Sequence, residues 1–333
     1  MNIYDISKQA GVSIATVSRV LNESDKVSPP TRQKVLDIIE KNGYTPNAFA
    51  RSLCLNTMST VGLLCSDSSD VYQAQAVYYL ERELRDNAYT SMLCCTGYNL
   101  LEKQEYLQLL LSRNVDAIFF IGSHFVENTE KGNSYILNAA KKIPVFILNG
   151  ELSGENIYSI LCDDFAATRD ITDLIFSKGS KRPIMLYRTL SYSGQRKVDG
   201  FLESCRAHGL DPEEKRAFSC PGPVDKTKTI LESIRENGAA FDSVVAADDE
   251  LATGAVKYAL QNNLRIPEDF QVTGYNNSVL ATCSTPEITT LDNQVEFMCV
   301  TAVSQLMQIM QGRELPSRTM YSGRIVEHET TQK

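Results

Sequence analysis

The chain has 333 residues, 43% of them hydrophobic, with a formal charge of -8 and no tryptophan. At roughly 150 residues per domain that length predicts two or three domains, and no apolar run approaches the roughly 20 residues of a membrane span, so a membrane partner is excluded. Nine cysteines, at 54, 65, 94, 95, 162, 205, 220, 283 and 299, are odd in number and scattered through apolar runs, which reads as reduced core thiols of a cytoplasmic protein.

In the first twenty residues Ile3, Ile6 and Ala10 recur at i, i+3 and i+7, and Val17, Val20 and Leu21 form a second apolar stripe. This spacing predicts two short helices. Gly11 permits the left-handed backbone of a tight turn between them, and Ser13 can cap the second helix by accepting from an N–H near Thr16. The pair is a helix-turn-helix, and it occupies the place a secretory leader would take. Ile14, Ala15, Thr16, Ser18, Arg19 and Asn22 are left facing away from the core, with Ser13 at the start of that face. Such a surface suits a major groove: Arg19 can bond bidentately to guanine, and Ile14 and Ala15 can meet thymine methyls. The alternative at this point is a small amphipathic helical pair with no such role. Charge distribution favours the first reading, because residues 1–60 hold seven Lys/Arg against five Asp/Glu, about +2, and the remainder carries about -10. Only the amino-terminal segment could therefore lie against phosphates.

Glu23–Pro30 reads as a polar turn and Thr31–Asn42 as a third helix ended by Gly43, closing a three-helix head over residues 1–45. In residues 46–59, Pro46 and Asn47 can start a short helix carrying Ala50, Arg51 and Leu53. Two turns are too short to be stable alone in water, so this segment needs a twin or DNA as partner.

With YDISKQAGVSIATVSRVLN, VSPPTRQKVLDIIEKNGYTPNAFARSL and STVGLL in sequence, the chain resembles the lactose-repressor and galactose-repressor family of bacterial transcription regulators. That resemblance implies a hinge helix, Asn47–Leu53, paired with its symmetry mate in the minor groove. There Leu53 would wedge between base steps, flanked by Asn47, Ala50 and Arg51, unstacking being offset by the larger wrapped surface. Cys54 stands where relatives often carry a basic residue. Ile14-Ala15 followed by TVSR is similar to the galactose-repressor and catabolite-control members and implies a half-site with a central CG step.

From residue 60 to 333 apolar strands alternate with amphipathic helices. Strands are predicted at Val61–Cys65, Thr90–Cys95, Ala117–Ile121, Val145–Leu148 and Ile157–Leu161, with helices near Val71–Asn87, Leu101–Arg113 and Ser134–Lys142. A second series has strands near Pro183–Tyr187, Ala217–Ser219, Ser243–Ala247 and Gln271–Tyr275. Its helices lie near Phe165–Lys178, Gly194–His208, Lys226–Glu236 and Glu250–Asn262, and Leu291–Gln311 is a late helix crossing back. Repeated βα units predict an α/β core of two doubly wound parallel sheets. The family resemblance makes this a bilobed, periplasmic-binding-protein-like core. Lobe 1 is expected to take residues 60–160 plus 291–321, and lobe 2 residues 162–289 plus 322–333. A ligand cleft is expected where the carboxyl ends of the two sheets face each other.

No GxGxxG, P-loop, HExxH, GxSxG or CxxC motif is present, so an enzyme is disfavoured, no cofactor is expected, and His124, His208 and His328 read as loop or surface residues without metal spacing. Candidate cleft residues follow the strands: Asp67, Tyr72, Arg188, Tyr192, Lys197, Asp249 and Asn276. The family's ligand-binding arginine maps onto Lys197 of KVDGF, a point charge and not a planar fork. Its GYD maps onto GYN, putting Asn276 in place of a carboxylate, and its D-x-x-A-x-G aspartate maps onto Asp249. Each has a structural alternative, since Asp249 could cap its helix, Lys197 could be solvated and Tyr72 could close a strand end. The expectation is a homodimeric repressor on a pseudo-palindromic DNA operator, controlled by a small effector of carbohydrate type. The alternatives are an activator or global regulator under a protein corepressor, and a doubly wound sugar-processing enzyme.

Overall fold

The computed structural model describes residues 3–21, 24–43, 58–211 and 214–332. It divides into two compact units, Met1–Thr60 and Val61–Lys333.

In the first unit, α1 (Ile3–Ala10), α2 (Ile14–Leu21) and α3 (Pro29–Lys41) enclose Ile6, Ala10, Val17, Val20, Val27 and Val35. Burying a side chain of this size contributes about 1.5–3 kcal/mol, which gives three short helices the tertiary support they lack alone. Helix α3 starts two residues before the expected Thr31, because Pro29 and Pro30 occupy the first turn, where a missing N–H is harmless and the fixed φ is already helical. The predicted hinge residues Asn47–Leu53, with Cys54, and Asn22 lie outside the described residues.

The second unit holds two six-stranded sheets. The first contains β1 (Thr60–Cys65), β2 (Thr90–Cys95), β3 (Ala117–Ile121), β4 (Val145–Leu148) and β5 (Ile157–Cys162), with α4 (Val71–Asp86), α5 (Leu100–Ser112) and α6 (Glu130–Ala140) between them. Next come α7 (Asp164–Ser177), β6 (Pro183–Tyr187), α8 (Tyr192–Ala207), β7 (Ala217–Ser219), α9 (Val224–Glu236) and β8 (Ser243–Ala246). The chain continues through α10 (Asp249–Gln261), β9 (Gln271–Tyr275), α11 (Val279–Cys283), β10 (Thr289–Asp292), α12 (Val295–Met310), β11 (Arg318–Tyr321) and β12 (Arg324–Val326).

Strand order is β11-β5-β4-β3-β1-β2 in one sheet and β12-β10-β9-β8-β6-β7 in the other. Within each, the first five strands met in sequence therefore follow the same 2-1-3-4-5 order, a doubly wound arrangement with its switch point between the first and third strands. Alternate residues of β3 serve opposite faces: Phe119 and Ile121 pack toward α4 and α12, while Ile118 and Phe120 pack toward α5 and α6. Burial on both faces is why these strands read as unbroken apolar runs.

Three expectations need correction. Leu291 and Asp292 belong to strand β10 (Thr289–Asp292) and are not the start of the crossing helix. Thr289, Thr290 and Leu291 pair with β9, and Gln294 in a left-handed conformation (φ 62°) turns the chain into α12 at Val295. The second lobe accordingly runs to Asp292, and Leu291 belongs to it. Two short strands, β11 and β12, went unpredicted because each is exposed and three or four residues long. β12 is also antiparallel to β10, so the second sheet is parallel except at that edge. The chain passes between lobes after β5, after β10 and between β11 and β12.

Candidate functional site

Two surfaces carry candidate residues. On the head, Gly11 (φ +66°) makes the turn, closed by a 3.1 Å bond from the Val12 N–H to the Ser7 carbonyl. Ser13 Oγ accepts from the Thr16 N–H at 3.1 Å and lies 2.9 Å from Thr16 Oγ1, so the cap fixes both side chains at the start of α2. With Val17 and Val20 buried, Ser13, Ile14, Ala15 and Arg19 are exposed and Thr16 and Ser18 half-buried on the opposite side. Among the described residues no carboxylate pairs with Arg19. The result is an apolar tip beside one unneutralised guanidinium, on a helix narrow enough for a major groove.

In the second unit a cleft of about 120 Å³ lies between the lobes. Its walls are the loops at the carboxyl ends of the strands flanking both switch points, where a doubly wound sheet leaves room for a ligand. From the first lobe come Asp70, Tyr72 and Gln73 after β1, Ser123 and His124 after β3, and Asn149 after β4. From the second come Arg188 and Ser191 after β6, Lys197 on α8, Asp248 after β8 and Asn276 after β9. Hydrogen bonds cross the gap, Ser123 Oγ donating to Ser191 Oγ at 2.8 Å and Tyr192 OH to Glu151 Oε2 at 2.5 Å.

Of the seven residues expected in the cleft, Tyr72, Arg188, Lys197 and Asn276 line it. Tyr72's hydroxyl is buried with no hydrogen-bond partner among the described residues, and burial raises its pKa. Arg188 is heavily engaged: Nε donates to Asp248 Oδ2 at 2.9 Å, and its other nitrogens donate to Glu250 and to the Gly222 carbonyl. Lys197 is 8% exposed; Nζ donates to the Ala247 carbonyl at 2.9 Å and stands 3.5 Å from the Tyr275 ring centroid. It faces the interior because Gly200, one turn on, lets α8 press against α7: a Cβ there would lie 2.2 Å from the Phe165 carbonyl oxygen. Beside it Asp164 is buried, its carboxyl pushed up by desolvation and held partly down by Lys197, and it accepts from Tyr275 OH at 2.5 Å. Asn276 (φ 97°) accepts from Asn293 Nδ2 at 2.9 Å through Oδ1, which leaves its own amide N–H groups to donate.

The other three are placed elsewhere. Asp67 turns back on its loop, accepting from the Ser69 N–H and hydroxyl at 2.8 and 2.7 Å, bonds that hold its pKa down. Tyr192 stands outside the lining, its hydroxyl on Glu151 and its pKa pushed to about 12 by burial and then by that carboxylate. Asp249 is 1% exposed and lies behind the wall, accepting from the Ser278 N–H at 2.6 Å and from Thr290 Oγ1 at 2.5 Å. Its neighbour Asp248, the N-cap of α10 accepting from the Leu251 N–H at 2.7 Å, takes the cleft position instead. The helical spacing held the signal: Asp249, Ala252, Val256 and Ala259 share the buried face of α10. His124, expected as a loop or surface residue, sits in a single 3-10 turn (Ser123–Phe125) in the lining of the cleft, edge-on to Tyr98 with ring centroids 5.2 Å apart. Burial and then Lys103 lower its pKa, favouring neutral imidazole. Among the described residues no three His, Cys, Asp or Glu side chains could hold a metal ion, and no helix is long and apolar enough to cross a membrane.

Residues 2–47 match the model of bacterial regulatory proteins of the lacI family, and residues 172–331 match that of a periplasmic binding protein-like domain. The chain is 48% identical over 331 residues to an HTH-type transcriptional regulator of Lachnoclostridium phytofermentans, covering 99% of each chain. Among solved structures, the lac repressor dimer bound to operator and the anti-inducer ONPF superposes with a TM-score of 0.89 at 21% identity, covering 100% of this chain and 99% of that one. A complex of the transcriptional regulator CelR with cellobiose gives 0.72 at 22% identity, covering 99% of both. These two likenesses establish the fold.

Proposed function

The chain belongs to the lacI family of bacterial regulatory proteins, and from that premise we propose that it is a homodimeric repressor whose operator affinity is set by a small polyhydroxylated effector bound between the lobes. Family membership makes it a DNA-binding transcription regulator and not an enzyme. The observation that carries the finer reading is the cleft itself: both sheets present their switch-point loops to one cavity, with polar groups from each lobe. A ligand touching both lobes in such a site binds their closed arrangement better than an open one, and it shifts the equilibrium between them by no more than that difference in affinity.

A dimer follows from the reading head, since one α2 covers one half-site and a two-fold pair matches a pseudo-palindrome. Ser13, Ile14, Ala15, Thr16, Ser18, Arg19 and Asn22 form the major-groove set, and Asn47, Ala50, Arg51 and Leu53 the minor-groove set. Strand β1 of the first lobe, starting at Thr60, is the part of the core next in sequence to the head and hinge, so effector control reaches DNA through the arrangement of first lobes in the dimer. A hinge helix unstable by itself is suited to act as the two-state element between them.

The test is operator binding by fluorescence anisotropy, with and without compounds that raise the melting temperature in a metabolite screen. A ligand at about 100 times its Kd should stabilise the protein by roughly 2.7 kcal/mol. Asn276→Ala should abolish the effector response and leave operator affinity without effector near wild type. A normal response in that variant refutes the cleft as the effector site.

A further inference from the structure

The charges around the cleft do not balance. Asp70, Asp248 and Glu250 lie within electrostatic range of one another, and one guanidinium, Arg188, serves all three. Lys197, the other cation of the wall, is turned to its own lobe, bonded to the Ala247 carbonyl and set against the Tyr275 ring beside Asp164. The amino ends of α4 and α10, at about half a positive charge each, offset a further unit and still leave the set negative. No metal-binding cluster among the described residues makes up the difference.

Capping does not require these charges. Asp70 Oδ1 accepts from the Gln73 N–H at 2.9 Å and Asp248 Oδ1 from the Leu251 N–H at 2.7 Å, and Asn caps a helix as well as Asp does. Among the described residues Asp70 Oδ2 has no hydrogen-bond partner. Independently, Tyr72 is part of the lining of the same cavity and its hydroxyl is buried with no hydrogen-bond partner among the described residues, a state that costs free energy unless a hydrogen-bonding group reaches it.

Resting on the effector-site reading above, we propose that the cleft takes a small polyhydroxylated ligand bearing a protonated amine, of the amino sugar class. Its ammonium answers Asp70 and Asp248, and its hydroxyls meet Tyr72 and Asn276. The same charges disfavour a phosphorylated or carboxylated sugar, because Arg188 is already shared by two carboxylates and a carbonyl.

Calorimetry on the full-length protein tests this with D-glucosamine and D-galactosamine, each against its parent sugar, its N-acetyl derivative and its parent's 6-phosphate. At least one amine should bind about tenfold or more tighter than its parent and its N-acetyl form, the scale on which a nearby opposite charge shifts an ionisation. That preference should fade as pH rises above the amine's own pKa. The double variant Asp70→Asn with Asp248→Asn should keep the wild-type melting temperature and lose the preference. The inference is overturned if the parent, N-acetyl or phosphate form binds as tightly as the amine, if the double variant retains the preference, or if no compound binds. Neutral-sugar binding that vanishes in Tyr72→Phe and Asn276→Ala would leave the effector cleft standing and remove only the amine. Binding indifferent to both substitutions would remove the cleft reading, and the amine with it.

Discussion

Replacing Asp249 by Ala separates a structural carboxylate from a ligand contact, and pH gives the measurement its sign. Asp249 is 1% exposed and satisfied by the Ser278 N–H and the Thr290 hydroxyl, yet burial still pushes its pKa from 3.8 to about 6. The folded protein thus holds this proton more tightly than the unfolded chain does. Between about pH 4 and 6 the folded state binds more protons, so the group's contribution to stability falls as pH rises through that window. A shift of about two units corresponds to roughly 3 kcal/mol, of which about 2 kcal/mol develops between pH 4.5 and 7. Asp249→Ala removes that slope and orphans two buried groups, at about 1–3 kcal/mol each. Destabilisation of the core unit, read from urea unfolding by circular dichroism, should therefore be largest at pH 4.5 and smaller by about 2 kcal/mol at pH 7. A loss that grows toward pH 7 would show that the carboxylate is stabilising as an ion, and the reasoning would be wrong. Gly274 supports the same geometry from the other side: a Cβ there would lie 2.2 Å from Asp249 Oδ1.

Arg19→Ala should weaken operator binding by roughly 1–3 kcal/mol per half-site and relax preference at one G·C pair; unchanged base preference in a binding-site selection would remove Arg19 from the reading set. Leu53→Ala should reduce DNA bending in a circular-permutation gel assay and lower specific affinity, while salt-sensitive non-specific binding stays near wild type. Equal loss of both modes would point to a folding defect in the head. Gly200→Ala should force α7 and α8 apart, at about 1–3 kcal/mol for an overpacked contact, and lower the melting temperature by several degrees; a wild-type melt would mean that the two helices tolerate the methyl.

The parts of this protein that were legible in its sequence are those governed by local spacing. Ile6, Ala10, Val17 and Val20 recur at helical intervals and are the head's core, and the unbroken apolar runs of β1, β3 and β4 are buried on both faces. Tertiary pairing decided what was misread. Leu291 looks like the front of an apolar helix until β9 is placed beside it. The cleft was half legible for a related reason. Residues just after a strand are evident from the sequence, but which of Asp248 and Asp249 faces outward depends on the rotation of α10. Gln73, Ser123, His124 and Asn149 meet only because three strands end at one place. Asp67 follows β1 closely, as a cleft residue would, but its loop's own N–H and hydroxyl groups have the prior claim on it.

The repeated 2-1-3-4-5 order explains why one cavity gathers so many of these groups. Each sheet alone would open a shallow crevice at its own switch point, and turning the two carboxyl edges toward each other makes the crevices one shared site with walls from both. Closure then depends on weak links across the gap, such as Ser123 with Ser191 and Tyr192 with Glu151, and Glu151 is held in turn by Arg318 at 2.9 Å. Neutral or singly charged hydrogen bonds of this kind contribute about 0.5–3 kcal/mol each, a range that the contacts of one small ligand can match. A regulator needs that match: with stronger links the effector could not shift the balance, and with none the switch-point loops would not hold the geometry that recognises it.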